Sequence, residues 1–160
     1  MIPTADLKSI ARARLNDAKV LLKGRRLDGA VYLCGYAVEM ALKARLCRTL
    51  KWSGFPETGA EFQGLQSIKT HNLEILLRLS GVEGKIRTRF TREWSQVLDW
   101  DPEKRYQTSG KFTEQQAKDM IAAVTSCWGS YDLNQQAAKG DARDCRGKGR
   151  FYFFWDLPAG

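Results

Sequence analysis

"LCGYAVEMALKARLC", residues 33–47, is the stretch on which the fold turns. Glu39 and Lys43 stand in it one helical turn apart, and Tyr32 and Tyr36 lead up to them. At about 100° per residue, positions 32, 36, 39 and 43 fall within roughly 60° of one another, so these side chains share one polar-edged stripe. The rest of the circumference is mostly apolar, from Val31 and Leu33 through Met40, Leu42 and Ala44. A helix apolar on nearly every side is enclosed by its neighbours, so this run predicts the central helix of an all-α protein. Glu39 ahead of Lys43 at i, i+4 is the favourable order for an ion pair. Inside a bundle each charge needs a partner. Two roles stay open: an internal structural pair, or a stripe facing a cleft that takes a polar ligand.

Working outward, residues 4–23 predict an amphipathic helix with Thr4 as N-cap and Gly24 at its end. The central helix runs from about Asp28, a good capping residue, to Lys51. "WSGFPETGAEFQG" then predicts a loop. Thr70 is the expected cap of a short helix over "HNLEILLRLS", closed at Gly81. Residues 82–99 predict a fourth helix with Ile86, Phe90, Trp94, Val97 and Leu98 turned inward. After a second loop, "WDPEKRYQTSGKF", the "TEQQ" beginning at Thr113 has the form of a capping box. It opens a fifth helix, with Ala117, Met120, Ile121, Val124, Trp128 and Tyr131 on one face. The expectation is an up-and-down bundle of about five helices over residues 1–138. Residues 139–160 follow as a glycine-broken basic linker and an aromatic extension, "FYFFWDLP". Those aromatics are expected to dock on their own bundle or on a second protomer, since in water they form an apolar patch that invites association.

The 160 residues, 43% hydrophobic and 28% charged, suit one domain of an ordinary water-soluble protein. No run approaches the length of apolar sequence that spans a bilayer, and the charged start lacks the apolar core of a signal peptide. A cytoplasmic protein with no membrane partner is expected. Four scattered cysteines, Cys34, Cys47, Cys127 and Cys145, form no C-x-x-C pair and read as reduced thiols. With one histidine in the chain, no metal site and no cofactor are expected. The formal charge of +8 raises the local concentration of phosphate-bearing partners.

"YLCGYAVEMALKARL", residues 32–46, resembles the second helix of HEPN domains. "KTHNLEILL" at 69–77 and "RY" at 105–106, ahead of the last long helix, follow in the family's order. The likeness spans roughly residues 5–135. It implies a helical bundle that often forms a homodimer, and nucleotide or RNA as ligand. Many family members are ribonucleases of toxin–antitoxin, defence or RNA-processing systems, or partners of small nucleotidyltransferases. The expected partner protein is therefore a nucleotidyltransferase or an antitoxin. Catalytic members carry an arginine and, four to six places on, a histidine near the start of the last helix. Here Gly110, Lys111 and Phe112 occupy the places where Arg105 would require that histidine. RNA cleavage without metal needs a group that exchanges protons near neutral pH, which histidine does and an ordinary lysine does not. The departure points to a non-catalytic binding module. A ribonuclease using the atypical set Arg105, Lys111 and His71 is the alternative, and an interaction protein without nucleic-acid ligand is a third reading.

The candidate ligand-binding residues are Tyr36, Glu39, Lys43, His71, Arg105 and Tyr106. Arginine supplies a planar fork for phosphate and tyrosine stacks on a base. Arg105 also suits a carboxylate on another helix, and Glu39 is the expected partner. Lys85, Arg89 and Arg92 recur at i, i+4, i+7 and form a basic row expected to meet a nucleic-acid backbone.

Overall fold

The computed structural model describes residues 1–128 of the chain. The linker and aromatic extension at 139–160, Tyr131 and Cys145 lie outside the described residues. A two-residue strand, β1 (Ile2–Pro3), runs directly into helix α1 (Thr4–Lys23). Pro3 holds the N-cap position expected for Thr4. Thr4 instead ties α1 to the loop after the central helix: its backbone N–H and its Oγ1 each donate to the carbonyl of Ser53 at 3.1 Å. That loop, expected to be irregular, contributes strand β2 (Gly54–Phe55), which pairs antiparallel with β1.

Helix α2 (Leu27–Thr49) is the centre of the molecule. Fifteen of its residues are buried, Glu39, Lys43 and Arg45 among them, as its all-round apolar surface predicts. α1 doubles back along it after the turn at 24–26, and α6 (Glu114–Trp128) covers another side. α6 starts beside the start of α2 and follows it, so that the Cys34 thiol reaches the Met120 carbonyl at 3.9 Å. The capping box at Thr113 is formed: Gln116 N–H donates to Thr113 Oγ1 at 3.2 Å, and Thr113 N–H donates to Gln116 Oε1 at 2.9 Å. Ala117, Met120, Ile121 and Val124 are buried as expected.

Helix α3 (Leu73–Leu79) is capped by Asn72, two residues later than predicted; its side chain accepts from the N–H groups of Glu74 and Ile75. Thr70 acts one step earlier, accepting from Asn72 N–H. The single helix expected over 82–99 is two, α4 (Glu83–Arg89) and α5 (Thr91–Leu98), which makes six α-helices among the described residues. Phe90 between them leaves helical geometry, at φ −132 and ψ 31. The threonines on either side explain the break. Thr88 Oγ1 bonds back to the Gly84 carbonyl at 2.8 Å and Thr91 Oγ1 to the Arg87 carbonyl, competing with the backbone ladder. A short 3-10 helix, Pro102–Tyr106, carries the chain back across the start of α2 before α6.

Candidate functional site

The stripe on α2 faces inward. Glu39 is 0% exposed and Lys43 9%. Lys43 Nζ donates to Glu39 Oε1 at 2.5 Å and lies 5.0 Å from the centre of the Phe55 ring. The same Glu39 oxygen meets His71 Nδ1 at 2.9 Å, while Oε2 is buried with no hydrogen-bond partner among the described residues. Glu39 therefore pairs with His71, not with Arg105 as expected. The 3-10 helix that carries Arg105 crosses the start of α2, near Tyr32, whereas the loop before α3 brings His71 beside Glu39, about two turns further along. Tyr36 is half-buried, and burial, with Glu39 nearby, pushes its hydroxyl pKa up. Neither Glu39 nor Lys43 lines a cleft described below; the pair is internal.

The open cleft lies over the start of α2. It encloses about 240 Å³ between Asp28 and Tyr32 on the helix and Lys104, Arg105, Lys111 and Phe112 on the crossing segment. Trp100 forms its floor. The indole Nε1 donates to the Tyr32 carbonyl at 3.1 Å, and the ring fits against Gly35 so closely that a Cβ there would sit 2.1 Å from Trp100 Cδ1. Asp28 sets the far wall. Expected to cap α2, it lies inside that helix's first turn and caps the facing loop instead, accepting from the N–H groups of Gly110 (2.6 Å), Lys111 (2.9 Å) and Phe112 (3.2 Å). These bonds, the one from Gly110 foremost, lower its carboxyl pKa below the ordinary value.

The nearby tyrosines, Tyr32 foremost and then Tyr106, raise the guanidinium pKa of Arg105 further. It stacks 4.7 Å above the Tyr106 ring and lies 3.7 Å from Glu103. Tyr106 is 74% exposed and supports Arg105 from outside the cleft. Lys104 lies 5.4 Å from the centre of the Phe112 ring and bonds to the Asp99 carbonyl.

The structure thus brings Arg105 and Lys111 to one cleft and leaves His71 out of it. The histidine lines a separate depression of about 230 Å³, with Glu74, Asp101 and Pro102 on its rim. The basic row is divided: Lys85 and Arg89 are on α4, and Arg92 follows the break on α5. Arg87, beside them, bonds to Glu83 at 2.8 Å and to Glu74. Sequence reasoning missed Trp100, Lys104 and the loop-holding role of Asp28. It also missed Arg45, 1% exposed, whose Nε donates to the Ser80 carbonyl at 3.4 Å. The signals were present only in part. A tryptophan and a lysine in a polar loop are legible as candidates, but the surface that they meet is not.

Cys34, Cys47 and Cys127 are free thiols, and burial pushes the pKa values of Cys34 and Cys127 up to about 12. Among the described residues no group of three or more His, Cys, Asp and Glu side chains is placed to hold a metal ion. No described helix is long and apolar enough to cross a membrane.

An enclosed central helix with an internal ion pair, packed against α1 and α6 and topped by a cationic cleft, defines an all-α helical-bundle module. Residues 4–58, the segment made of α1, α2 and β2, match the family model of the HEPN domain, which is what this part of the chain is similar to. The match stops before α3, and "KTHNLEILL" and "RY" lie beyond it. No curated protein and no solved structure matches the chain.

Proposed function

We propose that the chain is a non-catalytic HEPN-type module that binds nucleotide or RNA beside a partner enzyme such as a nucleotidyltransferase. The observation that carries this reading is the cleft over α2, where Arg105 and Lys111 line the side opposite Tyr32 above a floor of Trp100. Arg105 offers its fork to phosphate, and its stacking on the Tyr106 ring supports that fork before any ligand arrives. Tyr32 and Phe112 supply flat walls against which a base or a sugar packs.

The ribonuclease alternative needs His71 beside Arg105. His71 instead bonds to Glu39 and lines another depression, which favours the binding reading. Incubating labelled RNA with the protein in EDTA, next to Arg105→Ala and His71→Ala, tests both. The expected result is salt-dependent binding without cleavage, weakened by Arg105→Ala and untouched by His71→Ala. Cleavage lost on either substitution would establish the enzyme. Absence of any binding would leave the interaction protein.

The aromatic run at 151–155 motivates a homodimer as part of this proposal. Deleting residues 150–160 is expected to lower the molar mass seen by light scattering to that of one chain. A soluble dimer that survives the deletion would remove the tail's role.

A further inference from the structure

A second cleft, of about 430 Å³, adjoins the first and has no part in the reading above. Arg25 and Arg26 line it from the turn between α1 and α2, and Gly110 lines it from the facing loop. The two clefts share Asp28, Gly29, Ser109 and Phe112, so they form one groove with a saddle in the middle. Five cations border the groove: Arg25 and Arg26 at one end, and Lys104, Arg105 and Lys111 at the other. Three carboxylates oppose them, of which Glu103, 3.7 Å from Arg105, is an exposed and solvent-screened partner. Asp28, at the saddle, is committed to three backbone N–H groups of the facing loop. Glu114 lies 3.2 Å from Arg25 but is shared with Lys118 at 2.6 Å. The Arg25 side chain is 82% exposed, so its pair with Glu114 is a solvent-screened one that a phosphate can displace.

Size points the same way. At about 240 Å³ the first cleft falls below the roughly 300–1,000 Å³ of sites that enclose a whole small ligand. It suits one phosphate-and-sugar unit of something longer.

We propose that Arg25 and Arg26 form a second phosphate subsite, and that the groove takes a single-stranded phosphodiester chain lying across the saddle rather than a lone nucleotide. The proposal rests on the reading of the first cleft as a nucleotide or RNA site, and extends it. Arg25 has a left-handed backbone, φ 56, where glycine sits without strain. Arg25→Gly therefore removes the guanidinium while easing the fold, and exposed Arg26→Gln removes the second charge.

The test compares an oligouridylate of about ten nucleotides, uridine monophosphate and inorganic tripolyphosphate on the full chain. The oligonucleotide is expected to bind at least about tenfold more tightly than the monophosphate. The Arg25→Gly/Arg26→Gln double variant should lose about tenfold on the oligonucleotide alone, with the log–log salt slope falling by about 1.4, the value for two single-strand phosphates. An unchanged affinity and slope in that variant, with Arg105→Ala/Lys111→Ala still weakening both ligands, would overturn the second subsite and leave the first cleft standing. Failure of both uridine ligands to bind the wild type would remove the first reading and this one together. Tripolyphosphate competing as well as unlabelled oligonucleotide would also overturn the proposal, since a simple polyanion would then suffice.

Discussion

Among the described residues Glu39 is fully buried, with two hydrogen-bonding neighbours on one oxygen and none on the other. Removing it leaves Lys43 buried among apolar side chains. Glu39→Ala is expected to cost about 3–5 kcal/mol in urea unfolding, whereas Glu39→Met with Lys43→Met costs far less, because no charge is left stranded. His71→Ala should cost only about 1 kcal/mol, since its ring is 64% exposed and water replaces much of the bond. At Asp28 the lever is pH. Its carboxyl pKa is lowered in the folded chain, so the stabilisation is complete above the ordinary carboxylate value and fades as pH falls through the folded-state value. Asp28→Asn should flatten that acid limb. An unchanged limb in a stability-versus-pH series would show that the loop bonds do not depend on the charge.

At the scale of elements, the contact of α2 with the crossing segment depends on Gly35. From sequence it reads as a residue that weakens a helix; its reason stands 65 positions on, in the Trp100 ring. Gly35→Ala should displace that ring and destabilise the protein by about 1–3 kcal/mol. Because the ring floors the cleft, RNA affinity should fall with it, and tryptophan fluorescence joined to an RNA titration checks both effects. The same contrast decides what was legible. The enclosure of α2 followed from its own composition, and the capping box from four residues in a row. The partner of Glu39 did not follow, because charge favours the permanently cationic Arg105 and only the chain's path brings His71 there instead. Asp28 looked like a local cap for the same reason. The break at Phe90 had a local signal, Thr88 and Thr91, outweighed by an apolar period that runs straight through it.

For the whole molecule, 26 Lys and Arg against 18 Asp and Glu create a field that attracts any polyanion, so binding by itself says little. Its salt dependence says more. If Lys104, Arg105 and Lys111 each meet one phosphate of a single strand, those three contacts alone should weaken binding by about twentyfold as monovalent salt rises from about 50 to 200 mM. A slope unchanged in Lys111→Ala would place the contact elsewhere, with the α4–α5 cations the next candidates. Asp28 has a last consequence, for timing. Its carboxylate covers three successive amides, those of Gly110, Lys111 and Phe112, in a segment otherwise open to solvent. Those three should trade hydrogen for deuterium slowly while their neighbours at 107–109 trade fast. The rate at which that small island lets go is then a clock for the loop alone, running independently of the bundle's own unfolding.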